Sequence, residues 1–115
     1  MTTVTIYHNP RCSKSRAALA ILEEKGHTAN IVEYLKQGIN EQEIQQLLNQ
    51  LDLSIADILR HNEDYYKTHK LNTIIDEKIL INHLVQAPKL LQRPIVTYNN
   101  KAIIARPPER VLEIL

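Results

Sequence analysis

Val4-Thr5-Ile6-Tyr7-His8-Asn9-Pro10-Arg11-Cys12-Ser13-Lys14-Ser15-Arg16 is the stretch on which the fold turns. Val4–Tyr7 is short, β-branched and alternating, the pattern of a strand. His8-Asn9-Pro10-Arg11 breaks it. From Ser13 to Lys25 the chain is rich in Ala and Leu, and Gly26 closes it, as expected of a helix. Ala17–Leu22 are all apolar, so this helix is expected to be covered on several sides. Asn30–Leu35 reads as a second strand. Strand, helix and strand within 35 residues make a βαβ unit, which predicts parallel strands and a right-handed crossover.

Beyond this unit the chain turns helical. Asn40 is placed to cap a helix with Glu43 three residues on, and Ile39 and Ile44 occupy the flanking hydrophobic positions. Ile44, Leu47, Leu48 and Leu51 continue as a helical stripe. Ser54 repeats the device with Asp57, flanked by Leu53 and Ile58, and the helix it begins is expected to end at Arg60. The polar stretch 62–70 reads as a short helix or turn. Asp76 starts another helix, flanked by Ile75 and Leu80 and stopped by Pro88. Ile95–Tyr98 and Lys101–Ala105 flank Asn99-Asn100, two residues tolerant of positive φ, and so form a hairpin. Pro107-Pro108 opens a last helix carrying Val111, Leu112 and Leu115. The expected fold is α/β: a thioredoxin-like mixed four-stranded sheet in the order β-α-β … β-β-α. A central helical insertion of about 39–90 interrupts a single domain spanning 1–115.

The 115 residues hold 15 Leu and 15 Ile against five Tyr, no Trp and no Phe, so the core must be aliphatic. A chain of this length buries roughly 60–70% of its unfolded surface and needs no staple. Fourteen Lys and Arg against thirteen Asp and Glu is too even a balance for a nucleic-acid binder. No apolar run is long enough to span a membrane. No secretory leader is visible at Met1-Thr2-Thr3-Val4-Thr5-Ile6, which places the chain in the cytoplasm, and a monomer is expected. With two glycines, a Gly-rich phosphate loop is absent.

One cysteine rules out an internal disulfide framework and a multi-cysteine zinc site. Taken alone, such a residue is a small core hydrophobe. Its position argues otherwise. Cys12 stands between a strand and the first turn of a helix, where unpaired N–H groups and the helix dipole favour an anion. Arg11, Lys14 and Arg16 flank it and His8 lies four residues before, an environment that activates a thiol. Ser15 makes the site Cys-x-x-Ser, so no second cysteine can resolve a mixed disulfide and an external thiol such as glutathione is required. A protein-tyrosine-phosphatase loop would need Arg six residues after the Cys, where Ala18 stands. His8 and Cys12 alone are two metal ligands without two more, so no metal or bound cofactor is expected.

Three arginines complete the candidate set. Arg93 and Arg106 each precede a proline and bracket the hairpin, while Arg60 follows Leu59. Singly, each is a solvated charge. Converging on one thiol, they would cradle a tetrahedral oxyanion, because guanidinium donates in a fork and stays charged.

The segments Tyr7–Arg16, Leu59-Arg60-His61-Asn62-Glu63, Arg93-Pro94-Ile95-Val96 and Arg106-Pro107 resemble, in order and spacing, the glutaredoxin-dependent arsenate reductases, the ArsC family. The resemblance implies that Cys12 is the nucleophile and that His8 and Ser15 help keep it ionised. It assigns Arg60, Arg93 and Arg106 to the oxyanion and makes Pro94 a cis proline. The better-known members often carry Gly-Thr after the cysteine, where this chain has Ser13-Lys14. The implied activity is arsenate reduction in arsenic detoxification. Glutathione and glutaredoxin serve as partners, and Cys12 is the redox-active cysteine. Two alternatives share the fold: a monothiol, glutathione-dependent oxidoreductase without arsenate activity, and an Spx-type regulator that binds RNA polymerase. The latter commonly uses a Cys-x-x-Cys switch that Cys12 and Ser15 cannot supply.

Overall fold

The computed structural model of the chain describes residues 3–115. Met1 and Thr2, part of the segment read above for a leader, lie outside the described residues. The chain divides into two compact units. One holds the residues up to Gln37 and from Arg93 onward, and the other is Gly38–Gln92. The insertion expected at about 39–90 falls within the second.

The first unit is a mixed four-stranded sheet with helices. Its strands are β1 (Thr5–Tyr7), β2 (Asn30–Val32), β3 (Ile95–Tyr98) and β4 (Lys101–Ile104), in the order β2-β1-β3-β4. β1 and β2 run parallel with Ile6 opposite Ile31, as the βαβ reading requires. β1 and β3 are antiparallel with Ile6 opposite Val96, and β3 and β4 form the hairpin. Asn99 and Asn100 both take positive φ, 52° and 62°, the backbone that a two-residue turn matching strand twist demands. The core is aliphatic: Val4, Ile6, Leu22, Val96 and Val111 are essentially inaccessible to solvent.

Helix α1 (Ser13–Glu24) connects β1 and β2. It is not covered on several sides. Ser15, Ala18 and Leu22 form one buried row at helical spacing, Leu19 and Ile21 are half-buried, and Ala17 and Ala20 are exposed. Its apolar run reflects the helix propensity of Ala as much as burial. The second strand is also shorter than expected. It ends at Val32, because the Glu33 carbonyl accepts from the N–H groups of Lys36 and Gln37 (2.9 and 3.0 Å). These bonds start α2 (Tyr34–Gln37) with the Tyr34 ring buried. The terminal helix is a 3-10 helix, Pro108–Glu113. Pro108 and Val111 are buried, while Leu112 and, beyond the helix, Leu115 are exposed.

The second unit is helical. α3 (Glu41–Leu51) carries the full capping box: Asn40 Oδ1 accepts from the Glu43 N–H at 2.8 Å, and Glu43 Oε1 accepts from the Asn40 N–H at 3.2 Å. Ile44 and Leu47 are its buried face. Ser54 starts a single 3-10 turn, Ile55–Ile58, in place of a helix reaching Arg60. The chain is extended at Leu59, which forms an antiparallel bridge with Leu91, and the Arg60 N–H donates to the Leu90 carbonyl at 2.7 Å. These long-range bonds, which only folding supplies, end the turn early. α4 (Asp64–Thr68) and α5 (Glu77–Gln86) follow, and Asp76 Oδ1 caps the latter through the Lys78 N–H. Ile75 is 93% exposed, so the hydrophobic clasp expected with Leu80 is not made. Among the described residues no helix is long and apolar enough to cross a membrane.

Candidate functional site

Cys12 is the N-terminal flanking residue of α1. Its backbone is extended (φ −91°, ψ 122°), and its carbonyl accepts from the Arg16 N–H at 3.0 Å to begin the helix. No side chain caps this end and no carboxylate lies in the first turn. The N–H groups that an aspartate or glutamate would otherwise satisfy are left for another anion. The thiol is half-buried. Burial pushes its pKa up, but the backbone N–H groups of Ser15 and then Lys14 at the helix start favour the thiolate. The Arg93 guanidinium pulls in the same direction through its positive charge. The net result lies below the ordinary thiol value.

The loop before Cys12 is tied down by its own residues. Asn9 contributes three bonds: its carbonyl accepts from the Cys12 N–H at 2.9 Å, Oδ1 accepts from the Arg11 N–H at 3.0 Å, and its N–H donates to Ser15 Oγ at 3.0 Å. Arg16 reaches back to donate from Nη1 to the Pro10 carbonyl at 2.9 Å. Neither Asn9 nor Arg16 was singled out for this task by the sequence. The available signal was the Asn-Pro pair, which favours turn initiation.

His8 and Ser15 meet beneath this loop. Nδ1 and Oγ are 2.8 Å apart, and both residues are buried. Burial lowers the His8 pKa; Glu33 pulls it back up and Arg16 pushes it down again, leaving it below its ordinary value. At neutral pH His8 is therefore an uncharged ring. Its hydrogen bond goes to Ser15, so its ring is tied to the first turn of α1 and not to the Cys12 sulfur.

Of the three arginines, the structure brings Arg93 to the thiol. Arg93 Nε and Nη1 are buried and have no hydrogen-bond partner among the described residues. Donors of this kind are costly to leave unsatisfied, and an anion seated beside them would recover that cost. Arg106 donates from Nη1 to the Arg93 carbonyl at 3.1 Å, which ties the two residues together at the base of the hairpin. Both Arg93-Pro94 and Arg106-Pro107 are cis; the second was not anticipated. Arg60 belongs to the helical unit, where its Nη1 is ion-paired with Glu63 Oε1 at 2.9 Å. It is a mid-loop residue, not the charged end of a helix. Among the described residues no three His, Cys, Asp or Glu side chains group as a metal site.

A family model described as the ArsC family matches residues 7–114. An Escherichia coli (strain K12) protein, Uncharacterized protein YfgD, is 46% identical over 114 residues, covering 97% of this chain and 96% of its own. The Arsenate reductase of Neisseria meningitidis serogroup A is 42% identical over 117 residues, covering 100% of both chains. Among solved structures, the arsenate reductase from Vibrio cholerae superposes with a TM-score of 0.96 at 40% identity, covering 99% of this chain and 98% of that one.

Proposed function

The chain belongs to the ArsC family, and from that membership we propose that it is an arsenate reductase whose thiol chemistry is completed by glutathione and glutaredoxin. The observation that carries this reading is Arg93: a guanidinium with two buried, unpaired nitrogens beside a stabilised thiolate. A thiolate alone serves many reactions. A thiolate with a fixed cationic donor set at its side suits a tetrahedral oxyanion, because the donors neutralise the charge that would otherwise repel the nucleophile.

In this mechanism the Cys12 sulfur attacks arsenic, a sulfur–arsenic bond forms, and one arsenate oxygen leaves as water after protonation. Glutathione then attacks the Cys12 sulfur. The sulfur–arsenic bond breaks, its electron pair stays on arsenic, and As(V) becomes As(III). Cys12 is left in a mixed disulfide with glutathione. With one cysteine in the chain, a thiol from outside must reduce it, which is the task assigned to glutaredoxin.

The test is arsenate-dependent NADPH oxidation, coupled through glutathione, glutathione reductase and glutaredoxin. The wild type turns over and Cys12→Ser does not. Absence of turnover in the wild type, or its persistence in Cys12→Ser, overturns the proposal. Arg60→Met, Arg93→Met and Arg106→Met extend it, Arg60 being included because the family resemblance assigns it to the oxyanion. Loss of arsenate turnover with the thiol still reactive separates an oxyanion enzyme from a general monothiol oxidoreductase.

A further inference from the structure

A concavity lies on the flank of the Cys12 loop. It is a cleft of about 240 Å³ within the sheet unit, whose walls include Pro10, Arg11, Glu33, Leu35 and Lys36. Arg11 is covalently adjacent to Cys12, so one wall stands a single residue, about 3.8 Å between Cα atoms, from the nucleophile. Nothing in the oxyanion chemistry uses this cleft.

Its chemistry is specific. Arg11 and Lys36 supply two positive charges and Glu33 one negative charge, while Pro10 and Leu35 supply apolar surface, Leu35 being 46% exposed. His8, which also lines it, adds no charge at neutral pH. Glutathione carries the complementary set: two carboxylates, one ammonium, and a short apolar stem bearing the thiol. Lys36 and Glu33 are already 3.5 Å apart, so the cleft presents an ordered pair of opposite charges to a zwitterion. The volume falls just below the range of about 300–1,000 Å³ usual for small-molecule pockets, a size for a tripeptide held partly exposed.

We propose that the cleft formed by Pro10, Arg11, Glu33, Leu35 and Lys36 is the seat of glutathione, which it holds beside Cys12 by its two carboxylates and its ammonium group. This rests on the reading that the chain uses glutathione, and it adds where and by which groups. Arg11 and Lys36 pair with the carboxylates, Glu33 with the ammonium, and the thiol is left free to reach the Cys12 sulfur.

The test contains no arsenate. The Cys12 thiolate attacks oxidised glutathione: a Cys12–glutathione disulfide forms, the original disulfide breaks, and one glutathione thiolate leaves, so atoms and electrons balance. The rate is followed by mass spectrometry and compared with that for 2-hydroxyethyl disulfide, which carries no charge. Lys36→Glu slows the reaction with oxidised glutathione about three- to tenfold, the range expected for removing one partly exposed ion pair and adding a repulsion. It leaves the neutral disulfide unchanged, and Lys36→Arg restores the wild-type rate. The Lys36 side chain is 78% exposed, so its replacement leaves the fold intact. Unchanged selectivity in Lys36→Glu, or equal slowing with both disulfides, overturns the proposal. Because this exchange and arsenate turnover are measured separately, failure of one is distinguishable from failure of the other.

Discussion

Ser15→Ala is the substitution that most directly tests how the thiol loop is held. Ser15 is fully buried, and its Oγ accepts from the Asn9 N–H at 3.0 Å and meets His8 Nδ1 at 2.8 Å. Alanine is nearly isosteric, so no cavity opens, and the Ser15 backbone N–H that favours the thiolate remains. What is lost is the partner of two groups. His8 is buried, and a buried polar group left unsatisfied costs about 1–3 kcal/mol. Asn9 is half-exposed, so water recovers part of its share, leaving under about 1 kcal/mol. The gain in helix propensity at this first-turn position returns only a few tenths, ~0.3 kcal/mol. The sum is a destabilisation of about 1–3 kcal/mol, a large fraction of the ~5–15 kcal/mol that holds a typical domain together. Urea denaturation of wild type, Ser15→Ala, His8→Phe and the double variant measures it, with a coupling of about 1–2 kcal/mol between the two sites. A loss below about 0.5 kcal/mol together with zero coupling would refute the claim that this pair anchors the loop.

The remaining predictions follow from the same geometry. Because the folded-state pKa of His8 lies below its unfolded value of about 6.5, the unfolded chain binds the proton more readily. The stability due to neutral His8 is therefore complete above about pH 6.5 and is lost as pH falls from there through the lowered folded pKa; His8→Phe removes this acid-side loss in denaturation curves taken against pH. Iodoacetamide alkylation of Cys12 has its pH midpoint below the free-thiol value of about 8.5, and Arg93→Met moves the midpoint upward; a wild-type midpoint at or above the free value contradicts the activated thiolate. In the coupled arsenate assay Arg93→Met lowers kcat/KM by about 10²-fold or more, the loss typical of a removed oxyanion donor, while alkylation persists. Asn40→Ala breaks the capping box of α3 and costs about 1 kcal/mol in urea denaturation, without changing Cys12 alkylation.

Where a pattern depended on neighbours along the chain, it was readable in advance. The Asn40–Glu43 capping box, the Asn99-Asn100 turn and the β1–α1 junction at Cys12 all rest on contacts within seven residues. Readings failed where a distant partner intervened. The turn begun at Ser54 stops before Arg60 because Leu59 and Arg60 bond to Leu91 and Leu90, some thirty residues on. Ile75 and Leu112 have the right spacing for burial but stay exposed. The run Ala17–Leu22 looked buried on several sides because hydropathy does not distinguish an alanine chosen for its helix propensity from one chosen for the core.

The candidate site divides along the same line. Sequence determined that there is one thiol, that it stands at the mouth of a helix, and that no second cysteine accompanies it, since residue count and local periodicity are properties of the chain itself. Tertiary structure decided which cation reaches that thiol, and that the His8 ring is neutral and bonded to Ser15 instead. It also decided that Arg93 keeps two buried nitrogens unpaired. Those outcomes depend on burial and on approach between residues as many as eighty positions apart, and burial and approach exist only once the strands at the two ends of the sequence have paired.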